Sequence, residues 1–174
     1  MNIAAFNHLC NITTNKPYVY FVRLNNVVKI GFSRNVIARY ISIKQGKGGT
    51  MMPIAYNSYR NDNDFELLYC FKGGQNVEAA LHRILWHRQD VGEWFVYDNV
   101  IKRLIIWLQK IDKDRPYWDD WHKMKAIMSE ERFRELEKIN PCTYEAYVII
   151  QLKHFDAGSQ LSPYKIIREQ IASA

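Results

Sequence analysis

Residues 18–31 read YVYFVRLNNVVKIG, two apolar and aromatic arms joined by Asn25-Asn26. An asparagine pair tolerates the positive φ of a tight turn, so the stretch predicts two antiparallel strands, residues 18–24 and 27–32. Alternation along the first arm sets Tyr18 and Tyr20 on one face. The second arm ends in Lys29, Ile30 and Gly31, so two phenols and an amine share a small region.

The rest of the chain supplies what such a hairpin needs to bury itself. Residues 34–45 carry Val36, Ile37, Tyr40 and Ile41 at helical spacing, with Ser33 as the expected N-cap and Gly46 as the stop. Residues 65–72, FELLYCFK, read as a third strand ended by Gly73-Gly74. Residues 78–88 read as a helix with Ala79, Leu81, Leu85 and Trp86 toward the core, and residues 94–97 as a short strand. Residues 100–111 read as a strongly apolar core helix, with Ile101, Leu104, Ile105 and Leu108 on one stripe. The expectation is an α+β fold: a small antiparallel three-stranded sheet flanked by helices, residues 17–111. Residues 1–16 form an arm, and residues 112–174 an appended helical unit.

Neither Gly46-Lys47-Gly48-Gly49-Thr50 nor Asn61-Asp62-Asn63-Asp64 carries chemistry. The first lacks the order of a phosphate loop, and the second lacks the glycine and closing glutamate of a calcium loop. Cys10, Cys70 and Cys142 are odd in number and widely spaced, which argues against a disulfide framework or a zinc site. The first residues lack a basic, then apolar, leader, and the apolar run 104–108 is too short to span a bilayer. A cytoplasmic protein without a membrane partner is expected.

Charge separates the chain into two parts. Residues 1–110 hold 14 Lys or Arg against 7 Asp or Glu, a net of +7, whereas residues 111–174 hold 10 against 11, a net of −1. The basic part would attract a polyanion in a salt-sensitive way. Many soluble domains are mildly basic, so charge alone leaves nucleic acid at even odds with no such partner.

The motifs tip that balance. Tyr18-Val19-Tyr20 and Lys29-Ile30-Gly31 resemble the paired strand motifs of the GIY-YIG nuclease superfamily, in the YVY and KIG form of its phage-type branch. Three more pieces follow in family order: Arg39 in the first helix, Glu78-Ala79-Ala80-Leu81-His82 as an E-x-x-L-H pattern, and Gly92-Glu93-Trp94-Phe95 as the branch's GEWF ending. The resemblance covers residues 17–108.

It implies a metal-dependent endonuclease acting on nucleic acid, DNA in the first place, in the cytoplasm of a bacterial or phage-infected cell. Glu78 would be the ligand of Mg²⁺ or Mn²⁺, because such ions need only one or two protein carboxylates. Tyr20 aligns with the tyrosine assigned to general-base work, with Tyr18 beside it. Lys29 and Arg39 would supply positive charge where phosphate charge gathers.

Glu78 and His82 lie one helical turn apart, and on spacing alone an exposed i,i+4 pair is the commoner outcome. The motif reverses that preference for Glu78. Three positions depart from the broader superfamily. Lys29 stands where most members carry tyrosine, Ile43 stands where a histidine follows the arginine, and Glu93 falls near a metal-region asparagine. His82 is the candidate to replace the missing histidine.

In residues 112–174, Ser129, Asn140-Pro141 and Ser162-Pro163 are helix-start signals, and residues 117–121 are rich in aromatics. Helices over 129–139, 141–155 and 163–172 are expected, fit for target selection, a homodimer contact or a protein partner. The alternative to an enzyme is a catalytically silent member of the fold that binds nucleic acid or blocks a partner. The presence of Tyr20, Lys29, Arg39 and Glu78 together favours the enzyme.

Overall fold

The structure, a computed structural model, describes residues 17–47, 64–113, 129–131, 134 and 144–157. The expected arm, most of the glycine segment 46–50, residues 61–63 of the Asn61-Asp62-Asn63-Asp64 stretch, the aromatic stretch 117–121, the 163–172 helix, Cys10 and Cys142 lie outside these residues. Ser129, the expected cap, is non-helical, and Glu130 after it is helical.

The hairpin is present as read. Strands β1 (Tyr18–Leu24) and β2 (Val27–Ser33) pair antiparallel, Tyr20 opposite Gly31 and Val22 opposite Lys29. Asn25 takes the positive φ of the turn, 53°. Helix α1 (Val36–Lys44) follows, then β3 (Phe65–Lys72) and α2 (Gln75–Ile84). A 3-10 turn (Trp86–Arg88) leads into β4 (Gln89–Val91) and β5 (Trp94–Val96), and helices α3 (Asn99–Lys113) and α4 (Tyr144–Lys153) complete the described elements.

The sheet has five strands, not three, in the order β3-β1-β2-β5-β4, all antiparallel. The expectation of three strands missed β4, whose three residues QDV carry no alternation long enough to read. β5 extends the sheet because Val27, Val28 and Lys29 pair with Val96, Phe95 and Trp94.

β1 lies between β3 and β2 with both faces covered, which is why it reads as nearly continuous apolar sequence. Val19, Phe21, Val28, Ile30, Phe71 and Phe95 face a core built with Val77, Leu81 and Leu85, Ile101, Leu104 and Leu108, and Val148 and Leu152 of α4. Tyr18, Tyr20, Val22 and Leu24 face the other way, onto Val36, Tyr40 and Ile43 of α1 and onto Trp94. Each such fully buried large apolar side chain contributes about 1.5–3 kcal/mol.

Two local expectations are corrected. The N-cap of α1 is Asn35, whose side chain accepts from Ala38 N at 2.9 Å, while Ser33 Oγ folds onto the Asn35 backbone instead. In and just after α2, Ala79 and Trp86 are exposed, and Val77 and Ala80 take the core face with Leu81 and Leu85. The helix begins at Gln75, and the chain turns to 3-10 geometry after Leu85, which rotates Trp86 off the apolar stripe. Helix α4 packs into the same core as α2 and α3, and Tyr144 Oη donates to Asp112 Oδ1 at 3.1 Å.

Candidate functional site

β1 delivers Tyr20 to the α1 face, one per cent exposed, and the ring leans across the hairpin toward its cross-strand partner Gly31. A Cβ at position 31 would lie 2.6 Å from the Tyr20 ring carbon Cζ and closer still to the hydroxyl. Glycine there leaves the space that the phenol occupies. From α1, Arg39 reaches down, and its Nε–H donates to Tyr20 Oη at 3.2 Å. Tyr18 lies on the same face and belongs to the same apolar cluster.

Lys29 is on that face too, diagonal to Tyr20 in the hairpin register, and 2% exposed. Its Nζ stands 5.8 Å from the centroid of the Trp94 ring and ion-pairs with the Glu93 carboxylate. Glu93 occupies the two-residue turn between β4 and β5, where Gly92 carries a φ of 53°. Its carbonyl accepts from Ile30 N at 3.1 Å. Backbone and side chain of Glu93 therefore hold two successive residues of β2.

The short β5 covers β2 only as far as Lys29, and α2 completes the exposed edge beyond it. His82 Nε2 lies 2.9 Å from the Ile30 carbonyl oxygen, and Phe32 N–H donates to the Glu78 carboxylate. Residues 30 and 32 send their backbone groups to the same edge, and residues 78 and 82 share one helix face. The two periodicities match, so the E-x-x-L-H pattern docks a helix along a strand edge. Glu78 comes from the opposite layer to Arg39 and meets the cluster around that edge.

Burial and charge set the ionisation of these groups. Burial raises the Tyr20 phenol above its ordinary value, against the opposing hydrogen bond and charge of Arg39. Burial lowers Lys29, and Glu93 works to restore it. The Glu78 carboxyl is pushed up to about 7, first by burial and then by the nearby negative charge of Glu93, with Lys29 and the Phe32 amide opposing. His82 is lowered, again by burial first. Lys29, Arg39, Glu78 and Glu93 each act on the ionisation of others in the group, and Tyr20 responds to Arg39, Glu93 and Glu78.

Five of the six sequence-derived candidates, Tyr20, Lys29, Arg39, Glu78 and His82, thus come together at one end of β2. Tyr18 shares the face of Tyr20, but the charged groups gather around Tyr20. Glu93, read from sequence as part of the GEWF ending and as a departure from the broader superfamily but not as a site residue, ion-pairs with Lys29 and acts on Tyr20, Glu78 and His82 as well. Its signal in the sequence was that motif, and the structure adds that Trp94, the next residue, lies opposite Lys29 in register.

Among the described residues, no group of three or more His, Cys, Asp or Glu side chains is placed to hold a metal ion. Glu78, the one carboxylate that the sequence offered, suits a hard cation whose shell is completed by water and phosphate oxygen, not a preformed protein cage. The thiol of Cys70, opposite Tyr20 on β3, is pushed up to about 12 by burial, away from the reactive thiolate form. Among the described residues no helix is long and apolar enough to cross a membrane. No family model, curated protein or solved structure matches the chain.

Proposed function

We propose that the chain is a metal-dependent endonuclease that hydrolyses phosphodiester bonds in nucleic acid, DNA in the first place. The observation that carries this reading is the convergence of a phenol, an ammonium, a guanidinium and a half-buried carboxylate from β1, β2, α1 and α2. Its resemblance to the GIY-YIG superfamily and the excess of positive charge in residues 1–110 support it.

Each side chain has a role that its surroundings allow. Arg39, planar and permanently charged, clamps the scissile phosphate while staying within reach of Tyr20. Lys29 adds positive charge on the same face. Tyr20 rests as a neutral phenol, and the Arg39 hydrogen bond favours its phenolate, the form able to take a proton from water. Glu78, with its proton leaving near neutrality, would hold Mg²⁺ or Mn²⁺. When bound, such an ion would supply Lewis acidity at the phosphate and leaving oxygens. His82 keeps α2, and with it Glu78, against β2.

One observation favours a second reading. Burial outweighs Arg39 at Tyr20, so the phenol is a poorer base at rest than a free tyrosine, as a silent nucleic-acid-binding or inhibitory protein would tolerate. The test is cleavage of single-stranded, duplex and branched DNA and of RNA, with Mg²⁺, with Mn²⁺ and with chelator, beside the Glu78→Gln and Arg39→Ala variants. Metal-dependent cleavage lost in both variants supports the enzyme. Retained nucleic-acid binding without cleavage in any metal supports the silent protein.

A further inference from the structure

Lys29 is an electrostatic problem that its neighbours solve. The side chain is 2% exposed, its Nζ stands over the Trp94 ring, and burial draws it toward the neutral amine. A buried cation persists when a counter-charge touches it. Glu93 from the β4–β5 turn is that contact. Arg39 from α1 disfavours the ammonium and Glu78 from α2 favours it, both at longer range than the ion pair, and the Tyr20 phenol of β1 is neutral.

Glu93 is built to be a fixed counter-charge. Its carbonyl is bonded to Ile30 N, Gly92 sets the turn, and Trp94, the next residue, pairs with Lys29 in register. The carboxylate is nonetheless 45% exposed, so one flank meets Lys29 and the other meets water.

We infer that Glu93 is the positioning residue of this site, holding the Lys29 ammonium charged on the sheet face it shares with Tyr20, toward Arg39. Its purpose rests on the nuclease reading, whereas its geometry does not. The competing account is a structural pin: the ion pair fastens the β4–β5 hairpin to β2, and Lys29 has no further use.

Glu93→Gln keeps the volume and the turn while removing the charge. In the full chain without nucleic acid, NMR of the labelled Lys29 Cε and Nζ is expected to show the ammonium titrating about one unit or more lower than in the parent. Glu93→Asp should recover part of that shift. In cleavage, Glu93→Gln should reduce kcat by on the order of tenfold to a hundredfold with KM little changed. The alkaline limb of its pH profile should move down with the Lys29 titration.

The double variant Lys29→Met/Glu93→Gln removes the buried cation together with its partner. It should regain any Tm lost in Glu93→Gln while cleavage stays lost. Lys29 titrating alike in the parent and the Gln variant would overturn the inference, as would a Gln variant that loses Tm but keeps kcat and its alkaline limb. A parent that cleaves nothing removes the nuclease reading alone, and the Lys29 titration then decides between a held charge and none.

Discussion

His82 Nε2 lies 2.9 Å from the carbonyl oxygen of Ile30, on the edge where β2 runs past the end of β5. A carbonyl only accepts, so Nε2 carries the proton and the ring stands as that tautomer, tilted against Phe95 with centroids 5.0 Å apart. The residue that sequence reading offered as a replacement for a missing histidine also links helix α2 to strand β2. Its helix neighbour Glu78 makes the matching contact with the Phe32 amide.

His82→Ala should cost about 1–3 kcal/mol in denaturant unfolding, because the Ile30 carbonyl loses its donor and Phe95 a ring contact. His82→Gln, which keeps an N–H donor, should recover much of the stability and of the cleavage. A Gln variant that is stable but inactive would assign His82 to proton transfer instead.

Glu78 makes stability depend on pH in the unusual direction for a carboxylate. Its folded-state value of about 7 lies above the ordinary 4.5, so the folded protein binds the proton more tightly than the unfolded chain. The contribution is complete below pH 4.5 and is lost as pH rises toward 7. His82, lowered by burial, acts oppositely, losing its contribution as pH falls below 6.5. The Glu78→Gln comparison isolates the first effect: Tm of the variant minus Tm of the parent should be larger at pH 8 than at pH 4.5. A difference independent of pH would place the carboxyl in an ordinary solvated state.

The same proton competes with a cation at Glu78. Mn²⁺ binding, followed by calorimetry, should tighten from pH 6 to pH 8 and release protons, and the Gln variant should lose both effects. Cleavage, where present, should need less metal at the higher pH.

Gly31→Ala places a methyl group where the Tyr20 ring and hydroxyl already are. The ring has to move, at a cost of about 1–3 kcal/mol. Because the displaced hydroxyl leaves Arg39, cleavage should fall more than the stability loss explains. Tyr20→Val, which vacates the space, should make a second change at position 31 almost free of further cost, a coupling read from the double-mutant cycle.

Arg39→Ala should shift stability by no more than about 1 kcal/mol, since Arg39 is partly exposed and belongs to no core cluster. Cleavage should nonetheless fall sharply, and Tyr20, deprived of its donor, should titrate higher still by NMR. Arg39→Lys keeps a charge but not the planar fork, and should restore only part. A large loss of stability with normal cleavage would refute the assignment.

The hairpin was legible because its information is local. Alternation, the Asn25-Asn26 turn and the apolar run of β3 specify strands and register between near neighbours, and the stripe of Ile101, Leu104, Ile105 and Leu108 specifies which face of α3 is buried. Resemblance to a family then marked Tyr20, Lys29, Arg39 and Glu78 as candidates. It carried no distances.

What only the tertiary structure decided lies along the free edge of β2. A strand as short as β4 leaves no period to read, and its place beside β5 depends on a register shift between Gln89 and Val91. Asn35 took the cap of α1 from Ser33 through a difference of two residues that no composition rule resolves. The partner of Lys29, the link at His82 and the unusual carboxyl of Glu78 follow from groups 64, 52 and 46 residues apart in sequence meeting where strand pairing stops. Unpaired backbone at a buried sheet edge has to find a donor or acceptor, and which side chains arrive there is fixed by the packing of α2 and the β4–β5 turn against β2.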